Sequence, residues 1–268
     1  MKFQGGVHEQ NEGLINSKIQ YETTANLKTR ISLHEKYSTN KLGFGNWLFN
    51  NYQFGEQASI LEVGCGTGDL WKSRSASIKN IKRLVVSDSS EGMVNAARAN
   101  MGDPENIEYK IVDVSDICFP DGSFDFVIAN MMLYHVPMIE KAISEIHRVL
   151  KPRGILYCTT FGENGIAKYI NHLFSELELT LGIDSSFTLQ NGGQKLGREF
   201  SRVTRIDYPD GFEISDPSDL ADYILSLSSL MNSGNLSHAA LVEVFEKEKG
   251  PDGLIKIPKE YGMFISEK

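Results

Sequence analysis

Gly64, Gly66 and Gly68 stand at alternate positions in Ile60-Leu61-Glu62-Val63-Gly64-Cys65-Gly66-Thr67-Gly68-Asp69. A branched apolar run leads straight into them, as in a buried strand that must then turn sharply. Glycines so spaced leave no Cβ where the backbone bends tightly and a ligand would approach it. A helix beyond such a turn, expected from about Leu70, offers free N–H groups to something polar. The pattern is G-x-G-x-G, not the G-x-G-x-x-G of dinucleotide-binding turns. Asp88 follows 20 residues after Gly68, at the end of a second apolar run. A carboxylate at a strand end can accept hydrogen bonds from both hydroxyls of a ribose. Its competing use is to cap the helix that follows.

Two histidines are candidates for proton transfer. His135 follows Tyr134 at the head of a helix, and His34 lies in Leu33-His34-Glu35-Lys36-Tyr37-Ser38. An imidazole titrates near neutrality and can take a proton from an acceptor, though a lone histidine more often serves as a structural hydrogen-bonding group. His8, His147, His172 and His238 have no ligand spacing, and neither H-E-x-x-H nor a calcium-type carboxylate loop occurs. No metal is expected. Cys65, inside the glycine run, reads as a small packing residue rather than a nucleophile.

These residues need a scaffold, and the chain alternates strand and helix patterns to supply one. Strands are expected over 59–64, 83–87, 107–112, 124–129 and 155–160. Ser89 or Ser90 can cap a helix running to about Met101. Ile139, Ile143, Ile146 and Leu150 recur on one face of a helix expected over 137–150. Such alternation means parallel βαβ units with right-handed crossovers. After Phe161 the pattern changes to amphipathic helices, one carrying Ile166 to Leu177 and one starting at Asp216-Pro217, with strands near 203–208 and 261–266. The last strand is expected to run antiparallel. The fold class is α/β, a Rossmann-like doubly wound sheet of seven mostly parallel strands with helical lid and cap segments.

The 268 residues allow one large domain with a cap. The formal charge is −8, and an acidic chain is repelled by phosphate backbones unless a local basic patch intervenes. Arg198, Arg202 and Arg205 are a thin candidate for one, better read as a solvated face. Three distant cysteines fit a reducing compartment, and the absence of an apolar leader or span points to the cytoplasm rather than a membrane.

Residues 57–165 resemble, in order, the core of the class I S-adenosylmethionine-dependent methyltransferases. The resemblance rests on the glycine loop with Glu62 before it and on the acids Asp88 and Asp113 ending two strands. It continues in Asp121-Gly122-Ser123-Phe124-Asp125 and Arg148-Val149-Leu150-Lys151-Pro152-Arg153-Gly154. It implies S-adenosylmethionine as cofactor. The backbone of Gly64, Cys65, Gly66 and Gly68 would lie along its methionine part, and Glu62 would position the amino end. Asp88 would hold the ribose, with Ser89 and Met93 as neighbours and Met93 against the adenine. Asp113 would face the adenine amino group, with the backbone N–H of Val114 on the ring. Asn130 and Met131 would form a wall shared by cofactor and acceptor. Residues 1–53 would be an N-terminal helical lid on a domain over 54–268, with cap insertions at about 163–200 and 215–250. The acceptor is expected to be a small molecule, not a nucleic acid, with N, O, S and C all open. The alternatives are a catalytically silent S-adenosylmethionine-binding protein and, against the glycine spacing, an NAD-dependent oxidoreductase.

Overall fold

A computed structural model describes residues 24–72, 74–175, 185–227 and 237–268. Seven strands form one sheet in the order β3-β2-β1-β4-β5-β7-β6. They are β1 (Ser59–Val63), β2 (Arg83–Asp88), β3 (Ile107–Ile111), β4 (Phe124–Asn130), β5 (Leu150–Phe161), β6 (Arg202–Ile214) and β7 (Ile255–Glu267). The pairs β1–β2, β2–β3, β1–β4 and β4–β5 are parallel. Strand β1 is buried at every position, β2 is buried except at its ends, and β4 except at Asp125 and Asn130, as expected of strands covered on both faces. Strand β7 opposes β5. Gly162 N–H bonds to Glu260 O, whereas Lys268 N–H bonds back to Gly154 O, so the two segments run in opposite directions.

The helices follow the sequence with instructive departures. Ser90 caps the helix α4 (Glu91–Met101), its hydroxyl accepting from Met93 N–H. Helix α5 (Ile139–Val149) buries Ile139, Ala142, Ile143, Ile146 and Val149 on one face. The helix expected from Leu70 begins only at Ser75, as the short α3 (Ser75–Lys79). Gly66 and Gly68 hold φ values of +54° and +75°, which a right-handed helix cannot contain. Beyond them the chain turns through i→i+3 bonds, Trp71 N–H to Gly68 O and Arg74 N–H to Trp71 O. Strands β6 and β7 are longer than expected. Of the helix expected to include Leu177, Ile166–Leu173 is α6, and Leu177 lies outside the described residues.

The chain divides into two compact units. One comprises 44–161, 186–207 and 262–268. Its core joins β1, β2, β4 and β5 to α5 and takes in Phe187, Leu189, Leu196, Phe200 and Phe264. Those contacts place residues 186–200 with the sheet rather than in a cap. Helix α2 (Phe44–Asn51) belongs here too, burying Trp47 and Leu48, so the 1–53 segment does not act as one piece. The other unit comprises 1–43, 162–185 and 208–261. It packs α1 (Thr24–Tyr37), α6, α8 (Pro217–Ser226) and α9 (His238–Lys247) around Phe174, Phe212, Leu220, Ile224 and Phe245. The five-residue α7 (Gly192–Leu196) lies in the first unit, with Leu196 in its core.

Within the second unit, the buried Asp210 carboxylate pairs with Lys259. It also accepts from Ser38 Oγ at 3.0 Å and the N–H of Asn40 at 3.0 Å, tying down the chain beyond α1.

Candidate cofactor site at the strand ends

The parallel register brings the expected residues to one edge of the first unit. Val63 stands beside Ser87, and Asp88 beside Ile111, so the glycine loop, Asp88 and Asp113 all leave the carboxyl ends of adjacent strands. That edge is where open α/β sheets bind ligands. Two bonds fasten the loop. Cys65 N–H donates to Ser87 O at 2.9 Å, and Gly66 N–H donates to Asp88 Oδ2 at 3.1 Å.

Asp88 does not cap the helix. Its other oxygen accepts Ser90 N–H at 2.9 Å, so the carboxylate braces the glycine loop against the turn into α4. Each oxygen thereby uses one protein donor and keeps capacity for a second. Two vicinal hydroxyls would complete the set. Ser89 is exposed at this turn and Met93 is half-buried in the first turn of α4.

The three glycines are required for three different reasons. A Cβ on Gly64 would lie 2.8 Å from Met132 Cβ, and one on Gly68 would lie 2.8 Å from Met101 Sδ and 3.0 Å from Ala97 Cβ. These two let neighbouring elements close in. A Cβ on Gly66 would meet nothing within 4 Å. Its open side is the cradle in which a ligand can lie on the backbone. Gly68→Ala is therefore expected to lower stability by about 2 kcal/mol in urea unfolding, from overpacking on top of a positive φ. Gly66→Ala should cost about 1 kcal/mol of stability or less but weaken S-adenosylhomocysteine binding at least tenfold by calorimetric titration. Equal affinity in the Gly66 variant would place the ligand elsewhere.

Glu62, on β1, is 2% exposed. Its Oε2 accepts the indole N–H of Trp71 at 2.7 Å. Among the described residues, no donor reaches its Oε1. Burial pushes the Glu62 carboxyl up to about 7 against the opposing pull of the Trp71 hydrogen bond, and the nearby Asp88 charge adds to the rise. A buried carboxylate with an empty oxygen is a socket for a cationic donor. Cys65 is buried, and burial followed by the Glu62 and Asp88 charges pushes its thiol up, so it is no thiolate nucleophile.

Asp113 is exposed and folds back on its own backbone, Oδ1 accepting Ser115 N–H at 2.7 Å. The Val114 side chain is buried in the core, so only its backbone faces the edge. Asn130, ending β4, is held by Tyr52 and Thr159. Its Nδ2 donates to the Tyr52 hydroxyl at 2.8 Å, and its Oδ1 accepts from Thr159 Oγ1 at 3.2 Å. Met131 turns through φ +50°, its N–H donating to Thr159 Oγ1 at 3.1 Å. His135 ends the 3₁₀ turn Leu133–His135 with its ring against Tyr134, centroids 4.3 Å apart.

His34 belongs to the other unit. Its ring packs against Phe212 at 4.9 Å, Tyr261 at 6.1 Å and Tyr223 at 6.2 Å. Burial first, then the Lys259 cation, against a smaller opposing effect of Asp210, push its pKa down to about 3. A ring held neutral at physiological pH is a weak base, and the contacts it makes are those of aromatic packing.

Trp71, Tyr52 and Thr159 were not singled out by sequence reasoning. One signal was available for Trp71. The chain has only two tryptophans, and a buried indole N–H needs an acceptor, for which Glu62 on the preceding strand was the nearest buried carboxylate in sequence. No group of three or more metal-binding side chains occurs among the described residues. Each arginine of the suspected basic patch meets a carboxylate: Arg198 with Glu140 at 4.0 Å, Arg202 with Glu267 at 2.6 Å, Arg205 with Asp207 at 2.6 Å.

A family model described as a methyltransferase domain matches residues 61–158. The chain is 36% identical over 107 residues to the ubiquinone/menaquinone biosynthesis C-methyltransferase UbiE of Hydrogenovibrio crunogenus, covering 39% of this chain and 42% of that one. It is 29% identical over 162 residues to the demethylmenaquinone methyltransferase of Symbiobacterium thermophilum, covering 58% and 64%. The chain thus spans about half the length of these curated relatives. The fold is shared with a candidate methyltransferase from Bacillus halodurans C-125, TM-score 0.59 at 16% identity, covering 84% of this chain and 98% of that one. The matched stretch runs from the glycine-loop strand to the fifth strand and contains Glu62, Asp88, Asp113 and Asn130. Over residues 61–158 the chain is thus similar to methyltransferase domains, and its fold is one that a methyltransferase-like structure shares.

Proposed function

We propose that this protein binds S-adenosylmethionine at the strand ends and transfers its methyl group to a small-molecule acceptor. The observation that carries the reading is the unfilled hydrogen-bonding of two carboxylates beside the open face of Gly66. Glu62 Oε1 suits an ammonium, and Asp88 suits a pair of hydroxyls. The glycine spacing and the two acids favour this cofactor over NAD.

The bound cofactor supplies a methyl group on a cationic sulfonium whose departing group is a neutral thioether. The chain's task is then to hold, orient and dehydrate. Asp88 would hold the ribose at the middle of the ligand and Glu62 its amino end, and the strained Met131 turn, pinned by Thr159, sets the wall beside the loop. Orientation of this kind contributes up to about 7–11 kcal/mol in well-aligned systems. His135 stands past the same strand end as candidate base for acceptors that must lose a proton.

The similarity to a ubiquinone/menaquinone biosynthesis C-methyltransferase and to a demethylmenaquinone methyltransferase supports a small acceptor. The neutralised arginines also favour a small acceptor over nucleic acid. The test is calorimetric titration with S-adenosylhomocysteine and NAD, followed by methyl-transfer assays on naphthoquinol and phenol acceptors. Binding of the first ligand without the second, and turnover to S-adenosylhomocysteine, are expected. Tight NAD binding alone would overturn the cofactor. Cofactor binding without turnover on any acceptor would favour the silent binding protein, and tight salt-sensitive RNA binding would overturn the small-molecule acceptor.

A further inference from the structure

We propose that Trp71 is a positioning residue that aims Glu62 and couples cofactor binding to pH through it. This rests on the cofactor reading above and adds to it a residue that touches only Glu62. Trp71 is 1% exposed and its indole N–H is a donor only. It reaches Glu62 Oε2 at 2.7 Å, nine residues along the chain, across the whole glycine loop. That single bond fixes which carboxylate oxygen faces inward and which is left for the ligand. It also ties the chain beyond the loop to β1.

The indole itself is held rigid. Phe49 meets it edge-on with centroids 5.3 Å apart, and Phe54 stacks at 6.3 Å. A donor fixed by packing loses little freedom on bonding, so its effect on the carboxylate is close to constant. The charged and titratable groups facing Glu62 are few. Asp88 from β2 raises its pKa, and Cys65 and Tyr52 feel the Glu62 charge but stay neutral, both pushed up mainly by burial. Trp71 alone among them favours the ionised form. Without it, the carboxyl would hold its proton to higher pH, and a protonated acid cannot pair with an ammonium.

The expected behaviour follows. S-adenosylhomocysteine affinity of the unmodified protein should rise with pH through about 7, where burial has placed the Glu62 carboxyl. Trp71→Phe keeps an aromatic ring of similar position but no donor. It should weaken binding at pH 7 about tenfold, in line with one hydrogen bond to a charged group, and move the inflection to higher pH. Binding of 5′-methylthioadenosine, which has the ribose and adenine but no amino-acid part, should be unchanged in Trp71→Phe. That measurement also shows that the variant is folded. In a Glu62→Gln background the pH dependence should vanish and Trp71→Phe should cost no more than twofold further. If Trp71→Phe keeps both the affinity and the inflection of the parent, the proposal is wrong while the cofactor reading stands. If 5′-methylthioadenosine binding falls as much as S-adenosylhomocysteine binding, Trp71 is merely structural. If the unmodified protein binds neither nucleoside, the cofactor reading itself fails.

Discussion

Asp88→Ala should weaken S-adenosylhomocysteine binding by roughly 10²- to 10⁴-fold while the far-ultraviolet dichroism stays unchanged. The size follows from the number of hydrogen bonds lost. Asp88 has one free acceptor position on each oxygen, and each bond between a hydroxyl and a carboxylate is worth about 1.5–3 kcal/mol. Two such bonds give about 3–6 kcal/mol, and each 1.4 kcal/mol is tenfold in affinity. The variant also releases Gly66 N–H and Ser90 N–H, which now share the carboxylate. The glycine loop would loosen at the residue whose open face forms the cradle, so the loss should fall at the upper end. Asp88→Asn separates the two contributions. Its amide keeps one oxygen acceptor and can brace one N–H, so an intermediate loss of about tenfold to a hundredfold is expected. An Asp88→Ala protein that binds within threefold of the parent would mean that the carboxylate only braces the loop. The ribose would then have to be sought elsewhere along the edge.

How far such residues could be found from sequence depended on whether their partners were near in the chain. The buried strands β1, β2 and β4 announce themselves as unbroken branched runs, because a parallel strand covered on both faces has no polar side to show. Their ends carry Asp88 and Asn130, so strand prediction also located these side chains. Ser90 and Asp216 were equally plain, since a cap acts within three residues of itself. What stayed hidden was long-range. The bond from Asn130 to Tyr52 joins positions 78 apart, and the one from Thr159 to Asn130 joins positions 29 apart. A tyrosine after an aromatic-rich helix carries no local mark of such a partner. His34 looked like a catalytic candidate because its sequence gives no hint of Phe212, Tyr223 and Lys259 around it, and that environment decides its protonation. The helix missing after Gly68 is the opposite case. The positive φ of Gly66 and Gly68 is a local property that marks the turn, whereas the i→i+3 turns that carry the chain on to Ser75 have no such mark in the sequence. Residues 186–200 read as a cap insertion for want of any local difference between a helix over a site and one packed on a sheet.

Glu62→Gln should stabilise the ligand-free protein at pH 8 and remove most of its ability to bind S-adenosylhomocysteine. Burial raises the Glu62 carboxyl from its model-peptide range near 4.5 to about 7 in the folded chain. The folded state therefore holds its proton over a pH range in which the unfolded chain has released it. Stability from this group is complete below about pH 4.5, falls as pH rises to about 7, and is level beyond. The full difference corresponds to about 3 kcal/mol, an upper figure since one pKa unit is about 1.4 kcal/mol. Glutamine cannot ionise, and its carbonyl can still accept the Trp71 indole, so it avoids the loss. The variant should match the parent near pH 4.5 and exceed its melting temperature by at most about 6–12 °C at pH 8, at about 2–4 °C per kcal/mol for a chain of this size. Ligand reverses the order. Saturating S-adenosylhomocysteine should raise the melting temperature of the parent, whose ionised Glu62 gains an ammonium, and leave the variant nearly where it was. The buried, half-satisfied carboxylate is then a site kept unstable so that the ligand can relieve it. A melting difference that is the same at pH 5 and pH 8 would show that Glu62 is not ionised in the free protein. A Glu62→Gln protein that still binds S-adenosylhomocysteine at parental strength would show that its empty oxygen does not face the ammonium.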